Sequence, residues 1–195
     1  MTVTPSPAVT AATAWRGAPD GGAGGPGEAV AETVEEGSDS PADMLRRTLR
    51  RQATAVTVVT VPGPAGFTAT SFTSASLEPA LVSFYLSATA STASAVRAAK
   101  VFAVHLLAAG QADLAREFAR SGVDRFAGVE WAPRVGGVPL LAGVAAWLTA
   151  ETVHMQDIGD HFLVVGRLSE VGGPGAEPPL VHHDGSFGTF EGPRP

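Results

Sequence analysis

The sequence contains no cysteine, which excludes disulfide bonds, thiolate metal sites and cysteine nucleophiles. It also has no apolar run as long as the roughly 18 residues that a membrane-spanning helix needs. No basic region precedes the first apolar residues, which argues against a secretory signal at this N-terminus. These absences predict a soluble, cytoplasmic protein.

Basic residues are fewer than acidic ones, and the imbalance is concentrated at the N-terminus. The chain of 195 residues carries a formal net charge of −6. Residues 1–39 hold six acids and one base, so the rest of the chain has a net charge of only −1. A nearly neutral domain without a basic stripe is not expected to bind nucleic acid.

The same N-terminal stretch is also poor in large apolar side chains. Residues 1–39 consist mainly of Gly, Ala, Pro and acids, so they cannot bury enough surface to offset their ordering entropy. We therefore predict a disordered tail over 1–39 and one folded domain over 40–195.

Six segments of the domain are rich in β-branched or aromatic residues and bounded by turn-forming residues, as strands are. They cover 54–61, 66–74, 81–86, 101–107, 145–153 and 161–171. Short helices are expected at 91–100, at 111–120 and after Ser40-Pro41, where Ser suits the N-cap and Pro the first helical residue. A loop is expected over 123–139. Without a G-x-G-x-x-G motif or long helices, the sequence predicts a mainly β, six-stranded antiparallel barrel.

Hydroxyl side chains are concentrated in the stretch 67–79, whose sequence is FTATSFTSASLEP. Six of its thirteen residues are Ser or Thr, and none is Asp, Lys or Arg. Each hydroxyl offers one donor and two acceptor lone pairs on a short side chain. The stretch can therefore line a polar, uncharged ligand, or it can be a Ser/Thr-rich edge strand without a ligand.

A second hydroxyl-rich stretch, SATAST at 87–92, precedes the predicted helix 91–100. Ser91 or Thr92 is a suitable N-cap for this helix. Hydroxyls beside the free backbone N–H groups of a helix N-terminus also suit a phosphate. A simple cap and a phosphate site both agree with the sequence.

The first predicted helix carries four arginines, which either form a solvated face or meet an anionic ligand. They are Arg46, Arg47, Arg50 and Arg51.

Five histidines raise the alternative of a metal-dependent hydrolase. They are His105, His154, His161, His182 and His183, with Asp160 and Asp184 nearby in the sequence. They lack the H-x-x-x-H spacing of a helical metal site, so no metal is expected. His105 lies inside a predicted strand, where a lone histidine is typical of a structural residue.

Six segments, taken in order, carry a family resemblance. They are TAVTVVT at 54–60, TATSFTSASLEPALVSFYL at 68–86, STASAVRAAKVFAVHLL at 91–107, DRFAG at 124–128, GDH at 159–161 and HHDG at 182–185. Together they resemble the flavin reductase domain of two-component monooxygenase systems. No single motif is decisive; the order and spacing of the six segments carry the resemblance.

The resemblance implies a split β-barrel of Greek-key topology, usually a homodimer with flavin at the subunit interface. It implies NAD(P)H-dependent reduction of FMN or FAD and release of the reduced flavin to a partner oxygenase. Because the flavin supplies the redox chemistry, the protein needs no catalytic acid of its own. Backbone N–H groups and neutral hydroxyls are enough to orient the ring and to stabilise developing charge.

The resemblance also implies roles for individual residues. Those lining the isoalloxazine ring and ribityl chain are Thr70, Ser71, Phe72, Thr73 and Ser74, and the cofactor-binding set further includes Ser87, Ser91, Thr92 and His105. Within this set, Ser91 and Thr92 approach the flavin phosphate. His161 is the expected catalytic residue on the nicotinamide side, and His182 and His183 are assigned to the same side.

Three positions depart from the family pattern and leave the preferred flavin open. Thr70 and His105 replace usual Asn residues, and Ala80 replaces a second Pro.

The choice between NADH and NADPH also stays open, and the candidates for binding a 2′-phosphate are Arg125, Arg134 and Arg167. Competing functions are a flavin carrier or sensor without reductase activity and a split-barrel oxidase.

Overall fold

The computed structural model describes residues 40–173, 175 and 177–190, so the predicted tail over 1–39 lies outside the described residues. The helices are α1 (Pro41–Leu49), α2 (Ala93–Ala98) and α3 (Ala112–Ala119), with short 3-10 helices at Ala109–Gln111 and Val135–Gly137. The strands are β1 (Thr54–Ala55), β2 (Thr57–Val61), β3 (Ala65–Ala69), β4 (Thr73–Leu77), β5 (Ala80–Ser87), β6 (Val101–Leu106), β7 (Trp131–Pro133), β8 (Pro139–Leu141), β9 (Ala146–Ile158), β10 (His161–Gly172), β11 (Leu180–His183) and β12 (Ser186–Thr189). Among the described residues, no helix combines the length and the apolarity that crossing a membrane requires.

Seven strands form one antiparallel sheet, in the order β3-β2-β6-β9-β10-β5-β4. The consecutive strands β3 and β4 lie at opposite edges of this order. Only residues 70–72 connect them, and four peptide steps span at most about 14 Å. A flat sheet of seven strands would be about 29 Å wide, so the sheet must curl until its edges meet. We call residues 70–72 the seam of the resulting barrel.

Apolar side chains fill the barrel because they alternate with outward-facing residues along each strand. Phe84 and Phe102 are fully buried and pack edge-on, with ring centroids 5.2 Å apart. A second buried cluster joins β2 to α3 around Phe118. Val59 belongs to the first cluster and Val58 to the second, so β2 is buried on both faces.

The mainly β, antiparallel architecture with few short helices is confirmed, but the described residues form twelve strands where six were predicted. The predicted strand 54–61 divides at Val56, whose N–H bonds to the Leu180 carbonyl and whose carbonyl accepts from the Leu107 N–H. The predicted strand 66–74 divides at the seam. The region predicted as a loop, 123–139, contains β7 and ends where its hairpin partner β8 begins, and β11 and β12 form a further hairpin.

The first predicted helix is confirmed as α1. The Ser40 hydroxyl accepts a hydrogen bond from the Asp43 N–H at 3.2 Å, and Pro41 opens the helix. The apolar face of α1 remains exposed, because Met44, Leu45 and Leu49 are 50%, 59% and 52% exposed. Helix α1 therefore presents an unburied apolar surface beside the barrel.

Candidate functional site

An open groove of about 1000 Å³ lies between α1 and the seam. Its lining residues are Arg46, Leu49, Arg50, Gln52, Thr54, Ala55, Thr70, Ser71, Phe72, Thr73, Tyr85, His182 and Gly185. Four of the five residues predicted to line the flavin ring therefore come together in one groove. The fifth, Ser74, lies outside this lining in β4, where it pairs with Val82.

The Ser71 hydroxyl holds the seam against β5. Its oxygen accepts a hydrogen bond from the Tyr85 N–H and donates one to the Tyr85 carbonyl, both at 3.1 Å. A side chain thus satisfies backbone groups that a neighbouring strand would otherwise pair. Ser71 fixes the path of the seam, and Thr70, Phe72 and Thr73 complete this wall of the groove.

One face of β5 and β10 connects the groove to His161. Tyr85 and Ser87 are two residues apart on β5, so their side chains lie on the same side of the sheet. His161 is the cross-strand partner of Ser87, and directly opposed residues share a face. His161 is therefore outside the groove lining but on the face to which the groove-lining Tyr85 belongs.

Asp160 orients the imidazole of His161. The His161 Nδ1 lies 2.7 Å from the Asp160 Oδ1. This hydrogen bond is the main cause that holds the pKa of Asp160 below its usual value, and the charge of Arg46 adds a smaller effect in the same direction. Asp160 is therefore ionised at neutral pH, as a carboxylate that holds the imidazole must be.

The hydroxyls of the second predicted stretch do not cap α2. Thr92 occupies the N-cap position without a side-chain cap hydrogen bond, and its hydroxyl is buried with no partner among the described residues. The Ser91 hydroxyl accepts a hydrogen bond from the Arg125 Nη2 at 3.0 Å. The Ser87 hydroxyl lies 3.1 Å from that of Thr89. Thr92 therefore occupies the predicted N-cap position without capping the helix through its side chain, and the ligand alternative for this turn stays a prediction.

His105 lies in the protein interior and is fully buried. Its Nδ1 donates to the Val58 carbonyl at 3.0 Å, and its Nε2 accepts from the Leu141 N–H at 3.1 Å. Burial lowers the pKa of His105 to about 4, so the ring is neutral at pH 7. Because both ring nitrogens bind the backbone, neither can contact a flavin. The assignment of His105 to the cofactor site is corrected to a structural role.

His182 and His183 have different surroundings, because neighbouring residues of a strand point to opposite sides of the sheet. His182 lines the groove, and its ring packs edge-on against Phe187 with centroids 5.6 Å apart. His183 is exposed and outside the groove lining. In the described part of the chain, no group of three or more His, Asp or Glu side chains is arranged to hold a metal ion.

Residues 49–191 match the family described as the flavin reductase like domain. The chain belongs to this family. It is similar to the NADH:FMN oxidoreductase of Rhodococcus qingshengii, with 42% identity over 166 residues that cover 81% of this chain and 86% of that protein.

Solved structures of this family resemble the chain in fold. The NADH:FAD oxidoreductase of Streptomyces globisporus C-1027, in complex with NAD and FAD fragments, has a TM-score of 0.74 and 38% identity, covering 78% of this chain and 95% of that one. BorF, the flavin reductase component of a bacterial two-component tryptophan halogenase, has a TM-score of 0.71 and 35% identity, covering 76% and 98%. These relatives confirm the predicted family, the fold and the assignment to the flavin oxidoreductases.

Sequence reasoning missed Tyr85 as a groove-lining residue and missed the contacts of Arg125 with β3 and with the turn before α2. Tyr85 has a usable signal, since it alternates with Ser83 and Ser87 along one strand. Arg125 has no local signal, because its partners Gly66 and Ser91 are 59 and 34 residues away in the chain.

Proposed function

We propose that the chain is an NADH-dependent flavin reductase that reduces FMN or FAD and supplies reduced flavin to a partner oxygenase. The observation that carries the proposal is the groove beside the seam, whose wall combines neutral hydroxyls with two aromatic rings. The family supports the same reaction, since related proteins are named NADH:FMN oxidoreductase and NADH:FAD oxidoreductase.

The groove lining fits a flavin. Phe72 and Tyr85 offer aromatic surface for a flat ring, and Thr70 and Thr73 offer hydroxyls for its polar edge. No carboxylate is among the described lining residues, so a reduced ring with added electron density meets no negative charge there. A bound flavin would accept the hydride and so supply the redox chemistry.

The protein residues would contribute orientation rather than acid or base catalysis. Ser71 fixes the seam in advance, so the hydroxyl lining does not have to reorganise when the ligand binds. His161, held by Asp160, is suited to orient the nicotinamide on the face that it shares with Tyr85. Correct orientation matters because small errors in the reacting geometry can reduce a rate by about 100-fold.

We propose NADH rather than NADPH as the preferred hydride donor. A 2′-phosphate requires an available cation, and two of the three candidate arginines are already engaged. Arg134 pairs with Glu170 at 2.6 Å, and Arg125 donates to Ser91 and to two backbone carbonyls. The third, Arg167, lies in β10 and is absent from the groove lining.

A homodimer is part of the proposal. The apolar face of α1 is exposed, and so are Tyr85 and Ile158 on the outward face of the barrel, each more than two-fifths exposed. Exposed apolar patches of this kind mark interaction surfaces. Light scattering at micromolar concentration should show a dimer, and an active monomer would contradict this part of the proposal.

The cytoplasmic location stays a prediction.

The reaction is tested by following NADH oxidation with FMN, with FAD and without added flavin, each repeated with NADPH. We expect flavin-dependent oxidation, faster with NADH, and reduced flavin that passes through a membrane impermeable to the protein. Flavin binding without NADH oxidation would favour a carrier or sensor instead. Reduced flavin that never leaves the protein would contradict supply to a partner oxygenase.

A further inference from the structure

Helix α1 forms one wall of the groove without burying any of its own residues. Arg46 and Leu49 of this helix line the groove, and so does Arg50, its C-cap residue. In the described chain, the other α-helices bury apolar side chains, among them Val96 of α2 and Phe118 of α3. Burial in a core therefore fixes α2 and α3, whereas the position of α1 depends on contacts at the protein surface.

Two hydrogen bonds join the C-terminal end of α1 to the turn between β11 and β12. The Asp184 N–H donates to the Arg50 carbonyl at 3.0 Å, and the Arg50 Nε donates to the Asp184 Oδ1, also at 3.0 Å. The two residues are 134 positions apart in the chain, and Gly185 of the same turn lines the groove. The contact therefore joins the helical wall of the groove to the β11–β12 hairpin.

Asp184 occupies a backbone conformation that glycine adopts more easily. Its φ is 47° and that of Gly185 is 79°, as a two-residue type I′ hairpin turn requires. Among the described residues other than glycine, Asp184 alone has a positive φ. Glycine would adopt this conformation without strain, but it would lack the carboxylate that Arg50 binds. The turn thus keeps a side chain that serves the contact with α1.

The contact between Arg50 and Asp184 is weak enough to open. The two side chains are 61% and 54% exposed, and exposed charge pairs contribute little to stability because water and salt screen them. Residues 51–53 lead from the helix end into β1 and can serve as a hinge. A helix held by such a contact can move away from the groove without disturbing the core.

We propose that Arg50 and Asp184 are positioning residues that hold α1 against the groove, and that the opening of their contact controls the release of flavin. The inference rests on the flavin reductase function proposed above and adds the step by which the product leaves. Movable elements beside a site limit product release in many enzymes. A reductase that supplies flavin to a partner has to release it, and a weak contact at the groove wall allows release without unfolding.

The first test measures the dissociation rate of FMN from the full-length chain and its variants by stopped-flow fluorescence. Asp184 lies outside the groove lining, so Asp184→Gly acts on flavin only through Arg50. It should raise the rate about two- to fivefold, the range expected for an exposed charge pair. Arg50→Ala should raise it at least as much, and the double variant should equal Arg50→Ala alone. Rising ionic strength should bring the wild type closer to Asp184→Gly.

A second measurement follows the helix itself. The chain has no cysteine, so Thr48→Cys creates a single site for a nitroxide label, on an exposed residue of α1 outside the groove lining. The electron paramagnetic resonance spectrum should show a more mobile label when Asp184→Gly is added. This readout requires neither flavin nor NADH.

Arg120→Ala is the matched control. Arg120 is the C-cap residue of α3 and is 61% exposed, as Arg50 is, but it pairs with Glu117 of its own helix. Neither FMN dissociation nor label mobility should change in this variant. In urea, Asp184→Gly should be no less stable than the wild type, since glycine adopts a positive φ without strain. If Asp184→Gly does not fold, Asp184→Asn provides the same comparison, because Asn also tolerates this φ.

Three results would overturn the inference. The first is an unchanged FMN dissociation rate in Asp184→Gly, and the second is unchanged label mobility, which would separate release from movement of α1. The third is a change of oligomeric state in light scattering that accompanies faster release, which would assign the pair to a subunit contact. Each is compatible with NADH-dependent flavin reduction by the wild type. Conversely, a wild type that binds and releases FMN as expected but oxidises no NADH would overturn the proposed function and leave this inference standing.

Discussion

His105 and His161 are both histidines of the central sheet, yet their surroundings give them opposite properties. His105 is fully buried, neutral at pH 7 and bound through both nitrogens to backbone groups. The side chain of His161 is 45% exposed, and its known partner is the carboxylate of the adjacent Asp160. His105 thus has no free ring nitrogen, whereas the Nε2 of His161 has no hydrogen-bond partner among the described residues.

The difference shows why residue type alone does not assign a site. A buried imidazole with two backbone partners links strands, because the ring of His105 on β6 donates to Val58 of β2 and accepts from Leu141 of β8. An exposed imidazole beside a carboxylate has one oriented nitrogen and one available nitrogen, as a ligand contact requires. His105 should therefore control stability, and His161 should control the use of NADH.

The largest expected effect is that of His105→Ala on the free energy of unfolding. The substitution leaves the Leu141 N–H without its acceptor and opens a cavity, which together should cost about 2–5 kcal/mol. Urea unfolding measures this. His161→Ala is the matched control, because an exposed side chain should change stability by only about 0.5 kcal/mol. Equal destabilisation by the two variants would remove the distinction between them.

A pH dependence should separate the two histidines further. The pKa of His105 is about 4 in the folded chain and 6.5 when the imidazole is not buried, as in the unfolded chain. As the pH falls, the unfolded chain therefore binds a proton at His105 before the folded chain does. The stability associated with neutral His105 is therefore complete above pH 6.5 and is lost as the pH falls towards 4. The loss should approach about 3 kcal/mol.

Unfolding curves between pH 7 and pH 4 test this dependence, with His105→Asn as the comparison. The variant has no imidazole to titrate, so its stability should fall less steeply over this range. Parallel curves for the wild type and His105→Asn would show that other groups cause the acid sensitivity.

The sequence predicted the mainly β fold, the first helix and a hydroxyl-rich stretch at 67–79, because these depend on local alternation, capping and composition. It did not predict the break at the seam, which requires Ser71 to bond to a residue 14 positions away. The roles of His105 and Arg125 depend on partners up to 59 residues away. Such partners become neighbours only when the sheet curls, so local patterns carry no signal for them.

His161→Ala should act on NADH and not on flavin. If the imidazole orients the nicotinamide, its loss should raise KM for NADH and lower kcat, with a combined effect of up to about 100-fold on kcat/KM. The flavin Kd, measured by fluorescence on the same samples, should change little. An unchanged kcat/KM would return His161 to the status of a turn residue and direct attention to His182, which lines the groove.

Asp160→Asn should have the smallest effect, because it changes only the group that orients His161. The carboxylate is 93% exposed, and exposed charge pairs are weak, so kcat/KM for NADH should fall by about two- to fivefold. Added salt screens such a pair, so the difference between the wild type and the variant should shrink as ionic strength rises. Asp157→Asn is the matched control, since Asp157 is an exposed carboxylate of the same hairpin that pairs with Arg97 instead. A loss as large as that of His161→Ala would indicate that Asp160 itself contacts the nicotinamide. No change at low salt would show that the imidazole is oriented without the carboxylate.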